Sequence, residues 1–279
     1  MTVVEHPQAD VMASISPARR HVGELIKYFR TRAGMTQRTA AGQLLVSVST
    51  ESAYECAERI PTSSFLEDSD QLWDACGALK SCIPMMEEEK YPPTFVGWVR
   101  LQKKAAVING YETMLVPGLL QTEAYMRALY ACRVPLTPEE QIEKDVQARL
   151  ERQAILRRVP APNFGYVIEE SVLGRAIGSK SILRDQLLHV LGLIRSMDNL
   201  MVQVMPTGRQ SHAGLQGSMQ LLSTMEGRPY AYEEGQLAGR LIAKPEEVAQ
   251  CVDRFGMLRA QALNPWESAD LIERTAERL

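Results

Sequence analysis

Caps and breakers follow one another so closely between Ser16 and Pro61 that only short helices fit there. Ser16 stands ahead of Pro17 as an N-cap, and proline suits the first turn of a helix. Val22, Leu25, Ile26 and Phe29 then repeat at helical spacing and give one apolar stripe, which Gly34 ends. Thr36 caps a second helix, with Thr39 three residues on in place of the usual Glu or Gln, so the capping box is incomplete. Ala40, Ala41 and Leu44 supply its inner face. Ser47 caps a third helix running to about Glu55, and Pro61 bars easy continuation. Phe65, Leu66, Ser69, Leu72 and Trp73 outline a fourth.

Three short helices with a tight turn between the second and third are what a major-groove reader needs. One helix braces against the backbone and the next offers its N-terminal residues to base edges. Spacing alone leaves a second reading open, a small helical bundle with no ligand. Charge bears on the choice only when divided. The whole chain of 279 residues carries a net charge of −3, so it is no general nucleic-acid coat protein. Between Pro17 and Pro61, seven basic residues face four acidic ones, a net of +3. From Thr62 to Lys90, two lysines meet seven acids, a net of −5. A basic module followed by an acidic connector suggests that one end alone meets phosphates.

The segment LIKYFRTRAGMTQ, followed by VSVST and by YECAERIP, resembles the phage-repressor-like (Xre-type) helix-turn-helix, in order and in gap lengths, over roughly residues 20–75. The resemblance implies that Gln37, opening the second helix, contacts DNA backbone and, in some members of the family, base. It implies too that Ser47, Val48, Ser49 and Thr50 sit in the groove, with Ala53 one turn on. Thr36, Arg38 and Arg59 complete the expected DNA-binding set. The family also pairs an Arg of its first helix with a Glu near the end of its third, here Arg30 and Glu55. Three residues depart from the pattern. Leu45 and Ala57 stand where the family prefers Gly, and Glu51 takes a core position usually held by Val or Ile, where an unpaired carboxylate is expensive. Arg38, Gln43 or solvent would have to reach it. None of Val48, Ser49 and Ala53 is one of the strong bidentate base readers, Arg, Asn or Gln.

The remainder opens after Pro84, Pro92 and Pro93, which bracket a junction. Thr94 would cap a helix carrying Phe95, Trp98, Val99 and Leu101. YETMLV, residues 111–116, reads as a strand stopped by Pro117-Gly118. Thr122 would cap the next helix, and Thr137-Pro138 opens a long charged one. Phe164–Ile168, Leu200–Met205, Ser218–Ser223 and Tyr230–Glu234 read as strands; helices span about Ile182–Ser196, Pro245–Leu263 and Pro265–Arg278. The expected fold class is therefore a mainly α helix-turn-helix bundle plus an α+β C-terminal domain with a largely antiparallel sheet. The expected division is a flexible tail over 1–16, the DNA-binding domain over 17–82, a linker over 83–93 and a sensor or interaction domain over 94–279.

A second set of blocks lies in this remainder: VPGLLQTEAY, ARLERQAIL, FGYVIEESVL, the Gln186-Leu187 pair, VQVMP, HAGLQGS and LRAQALNPWES. In that order they are similar to the uncharacterised, antitoxin-like domain that follows the Xre-type module in many actinobacterial regulators, over roughly residues 90–277.

Catalysis finds little support. His212, Glu169, Glu170, Ser171, Glu233 and Glu234 are the available candidates, and none falls in a recognised catalytic spacing. GRAIGSK has too few glycines in the right places for a phosphate loop and reads as a helix-end turn. The five cysteines form no C-x-x-C pair, which fits reduced thiols and argues against a disulfide scaffold or zinc site. No apolar run suffices to cross a bilayer, and the N-terminus lacks a signal-peptide pattern. The expectation is a cytoplasmic, non-enzymatic transcriptional regulator with no cofactor or metal. It would bind double-stranded DNA as a homodimer, with a small molecule or small protein as effector at its C-terminal domain. Methionines such as Met197, Met201, Met205, Met219 and Met225 suit adaptable apolar surfaces, or plain core filling. The alternative is an antitoxin-like interaction protein whose C-terminal domain binds a small protein, with DNA binding weak or secondary.

Overall fold

A computed structural model describes residues 15–91, 93–236 and 238–279, and the chain divides into two compact units after Pro92. Most of the expected tail, 1–16, lies outside the described residues. Its last two residues are ordered: Ile15 is buried, and Ser16 caps the first helix by accepting from the Arg19 N–H at 3.1 Å.

The first unit is helical. It comprises α1 (Pro17–Arg32), α2 (Gln37–Gln43), α3 (Val48–Glu55), α4 (Ser63–Leu72) and α5 (Ile83–Glu88). Val22, Ile26 and Phe29 of α1 meet Ala40, Tyr54, Phe65, Leu66 and Trp73 in one core. Gly23 lets α1 and α3 touch, because a Cβ there would lie 2.7 Å from the carbonyl oxygen of Glu55. The buried carboxylate of Asp70 accepts from the backbone N–H groups of Gly77, Leu79 and Lys80 and so fixes the loop after α4. The expected linker, 83–93, is not free chain throughout. Its first half is α5, whose Met86 is buried in this core, and Glu87 accepts from the Ser63 hydroxyl at 2.7 Å.

The second unit opens with α6 (Pro93–Gln102), which starts one residue ahead of the expected cap. Then come β1 (Ala105–Glu112), α7 (Glu123–Ala131), α8 (Glu139–Gln153), β2 (Asn163–Glu169), α9 (Glu170–Leu173), α10 (Lys180–Ser196) and β3 (Leu200–Met205). The chain closes with β4 (Met219–Thr224), β5 (Pro229–Glu234), β6 (Gly239–Ile242), α11 (Pro245–Gln261) and α12 (Pro265–Glu277).

The sheet overturns the expectation of a largely antiparallel array. Its order is β3-β2-β1-β4-β5-β6, and it is mixed: β1, β2 and β3 are parallel neighbours, while β4, β5 and β6 continue antiparallel. The reason lies in the connections. A parallel pair needs a crossover long enough to return the chain to the same end of the sheet. The helices α7 and α8 provide it between β1 and β2, and α9 and α10 between β2 and β3. The first strand also lies earlier than expected, over Ala105–Glu112 instead of 111–116. It sits in mid-sheet and is covered on both faces, so it lacks the alternation that marks a half-exposed strand.

Each face of the sheet has its own core. Ile108, Tyr166, Ile168, Val202, Val204, Leu222 and Tyr232 pack with Trp98 of α6, Tyr125 of α7, Leu183 and Leu187 of α10 and Ile272 of α12. Tyr111, Val167, Met205, Met219, Leu221 and Ala231 face the other way, against Val248, Cys251, Phe255 and Leu258 of α11. Among the described residues, no helix is long and apolar enough to cross a membrane.

Candidate functional site

In the first unit the cap hydroxyls do what their positions suggest. The Thr36 side chain accepts from the Thr39 N–H at 3.2 Å, and the two threonine hydroxyls lie 2.9 Å apart, so a short residue partly completes the box that Glu would close. The Ser47 side chain accepts from the Thr50 N–H at 3.0 Å, and its hydroxyl is 2.8 Å from those of Ser49 and Thr50. Ser47, Val48 and Ser49 are exposed, whereas Thr50 and Ala53 are half-buried. Arg38 and Arg59 are also exposed.

Gln37 is turned inward. Its amide donates to Glu55 at 2.7 Å. The same carboxylate takes two hydrogen bonds from Arg30, whose third goes to the carbonyl of Met35. This joins α1, α2, α3 and the α1–α2 turn through one charged cluster. Burial works against the Arg30 charge, but the Glu55 hydrogen bonds outweigh it and raise its pKa above the ordinary value.

The three departures have structural consequences. Leu45 and Ala57 adopt left-handed backbone, φ 55° and φ 60°, the conformation for which glycine is the cheapest residue. Leu45 is also almost fully exposed, beside a shallow groove lined by Gln43, Leu44, Asp68, Gln71 and Leu72. Glu51 is 0% exposed, and neither of its carboxylate oxygens has a hydrogen-bond partner. Neither Arg38 nor Gln43 reaches it. Burial first, then the neighbouring Glu55, push its carboxyl up to about 7, against the pull of Arg30.

In the second unit, the residue blocks quoted above meet in space. Gln121 of the first block accepts from Arg149 of the second and donates to the carbonyl of Val116. Gln153 donates to the carbonyls of Gln121 and Gly118, at 2.7 and 3.3 Å. Buried Gln186 closes the group, accepting from the Thr122 N–H and donating to the Leu120 carbonyl, each at 2.7 Å. A second meeting joins VQVMP to LNPWES: the Val204 N–H donates to the Ser268 hydroxyl, and its carbonyl accepts from Leu263.

The catalytic candidates separate. Glu169 and His212 come together with Tyr111 at the carboxyl ends of β1 and β2. The Tyr111 hydroxyl donates to Glu169, and the His212 Nε2 lies 3.7 Å from the same oxygen. The other ring nitrogen of His212 accepts from the Gly214 N–H at 3.2 Å. Burial raises the Tyr111 pKa and Glu169 adds to the effect, so the phenol keeps its proton. The group links His212, in the β3–β4 loop, to Glu169 at the end of β2. Glu170 accepts from the Thr207 N–H at 2.8 Å, while Ser171 and Glu233 are exposed and apart from it. Of the methionines, Met205 and Met219 are core, while Met201 and Met225 are exposed. Among the described residues, no three His, Cys, Asp or Glu side chains are grouped to hold a metal ion.

Sequence reasoning passed over Arg149 of α8, which donates to Gln121, and Glu112 at the end of β1, whose carboxyl is pushed up to about 8 by burial first and then by Glu234. The paired blocks that carry Gln121 and Arg149 were the available signal, but only folding brings them together. No curated protein and no solved structure matches the chain. A family model described as a domain of unknown function, DUF5753, matches residues 96–274, nearly the whole second unit. The chain belongs to the DUF5753 family.

Proposed function

We propose that the protein is a cytoplasmic, Xre-type transcriptional regulator whose first unit reads the major groove of double-stranded DNA as a dimer and whose second unit senses an effector. The observation that carries this reading is the capped, solvent-facing start of α3. Ser47, Val48 and Ser49 stand clear of the core, while the Arg30–Glu55–Gln37 cluster fixes the helix behind them. Serine hydroxyls suit phosphate or base edges, and the Val48 methyls suit a thymine methyl. Exposed Arg38 and Arg59 supply positive charge for phosphates. The reading assigns no catalytic step to the chain.

Selection of genomic fragments by the purified full chain tests it. One sequence class is expected to be enriched, with affinity falling as salt rises. Arg38→Ala is expected to weaken binding across sequences and reduce the salt slope by about one. Failure to enrich any sequence, with no salt slope, would sink the reading.

A second reading, an antitoxin-like protein that binds a small protein partner, draws support from the other side of the sheet. There a groove of about 620 Å³ is lined by Met201, Gln203, Gly256, Arg259 and Trp266, a residue that is 82% exposed. An apolar aromatic this exposed suits protein contact. A stable polypeptide that co-purifies with the wild type and is lost with Trp266→Ala would favour this reading.

A further inference from the structure

Helix α11 covers one face of the sheet with Val248, Cys251, Phe255 and Leu258 and turns its opposite side to solvent. That outer side is small and apolar where a solvated helix would carry charge. Ala249, Val252, Gly256 and Ala260 are all exposed, at spacings of three and four residues that keep them on one line down the helix. Met257 borders the line. Met201 of β3 and Trp266 of α12 stand exposed beside its C-terminal half, where Gly256 and Ala260 line the same groove.

Charges flank this line in a particular order. Asp253 lies three residues before Gly256 and Arg259 three residues after it. At about 100° per residue, these steps set the two side chains about 60° to either side of Gly256, on opposite borders of the line. Both are exposed, and neither forms an ion pair with a described residue. Arg259 donates to the Met201 sulfur at 3.2 Å and to Gln203 at 3.4 Å. The Gln203 amide in turn donates to the carbonyls of Arg259 and Leu263, at 3.2 and 2.9 Å, and anchors this end of the helix to β3.

Such a face is complementary to itself. A two-fold axis through Gly256, perpendicular to the helix, lays a second α11 antiparallel on the first. The rotation carries Asp253 onto the place of Arg259 and Val252 onto that of Ala260, so opposite charges meet twice and each Val252 meets an alanine. At the axis glycine faces glycine, and two helices without side chains there approach closely. Nothing inside the chain asks for glycine at this position, since a Cβ on Gly256 would meet no atom within 4 Å, and glycine weakens a helix interior.

We propose that α11 packs antiparallel on α11 of a second copy of this chain. Asp253 of each copy pairs with Arg259 of the other, and Val252 of each enters the groove beside Ala260, Met201 and Trp266 of the other. The inference rests on the dimeric reading above and deepens it by naming the surface that joins the copies. A small-protein partner has no need of a charge order that matches itself.

Sedimentation velocity of the full chain without DNA, up to about 100 µM, is the test. A dimer that grows with concentration is expected. Gly256→Leu is expected to abolish it while leaving the melting temperature of the monomer undiminished, because the added side chain has open space in the chain itself. Asp253→Arg and Arg259→Asp each place like charges opposite one another twice and are expected to weaken association by about tenfold or more. Mixed in equal amounts, the two variants face only opposite charges and are expected to associate about tenfold or more tightly than either alone, with melting used to confirm that both fold. A chain that stays monomeric throughout would overturn the proposal. So would a dimer indifferent to Gly256→Leu, or a mixture no tighter than its separate variants. A wild-type chain that is monomeric until a small protein joins it would overturn it in favour of the antitoxin-like reading. Salt-sensitive DNA binding by a chain that does not pair through α11 would refute this inference alone. A dimer with the expected variant pattern that enriches no DNA would refute the DNA reading alone.

Discussion

The guanidinium of Arg30 on α1 is held against the carboxylate of Glu55 on α3 by two hydrogen bonds, with both side chains largely shielded from solvent. Removing one partner strands a buried charge, so Glu55→Ala is expected to destabilise the first unit by about 3 kcal/mol. Urea denaturation followed by helical signal measures it. Because Gln37 hangs on the same carboxylate, the variant is also expected to lose salt-sensitive DNA binding before it loses all helix. A loss below about 1 kcal/mol would show the pair to be a solvated surface contact.

Glu51, one turn before Glu55, makes the same helix sensitive to pH. Its carboxyl is near 4.5 when unfolded and about 7 when folded, so between these values the folded state binds more protons than the unfolded one. Stability therefore falls as pH rises from about 4.5 to about 7, by roughly 2–4 kcal/mol from this residue. Melting temperatures of wild type and Glu51→Gln, compared across that range, isolate the contribution. Equal pH dependence in the two would remove Glu51 as its source.

Glu51→Val is expected to raise stability at neutral pH by about 1–3 kcal/mol, because it replaces an unpartnered buried carboxylate with apolar volume. The variant should bind DNA at least as tightly. A lower melting temperature would mean that the carboxylate has a partner in solution.

Leu45 occupies left-handed backbone with its side chain 92% exposed, so it bears the strain without the return of burial. Leu45→Gly is expected to stabilise the α2–α3 turn by about 0.5–1 kcal/mol, the relief of strain being partly offset by the freer unfolded chain. Thermal denaturation of the pair decides it, and a destabilised variant would show that Leu45 packs against a surface in solution.

Gln186→Leu in the second unit is expected to cost about 2 kcal/mol or more, since it leaves the Thr122 N–H and the Leu120 carbonyl unpaired inside the protein. Chemical denaturation of the full chain reads this as a lower midpoint for the second unit. An unchanged midpoint would mean that water replaces the amide there.

Much of the local structure was written in the sequence. Ser16, Thr36, Ser47 and Thr122 each cap the helix that follows them, because a hydroxyl one residue before a helix has an orphan N–H within reach whatever the rest of the chain does. Caps, breakers and apolar stripes are local. The strand in YETMLV was misplaced because β1 is buried on both faces, and burial on both faces erases the period of two. β6 and the helix within the expected linker were missed as well, since Gly239–Ile242 and Ile83–Glu88 are too short to show a period.

What the sequence determined by itself is the start and stop of the helices, the basic character of the first module, and the absence of a recognised catalytic spacing. The tertiary structure alone decided that the sheet is mixed, that Gln37 faces inward, and that Glu51 is buried with no hydrogen-bond partner. The physical reason is range. Capping and periodicity act over a few neighbouring residues. Strand direction depends on where a crossover returns the chain, and the environment of a charge depends on side chains brought in from distant strands and helices.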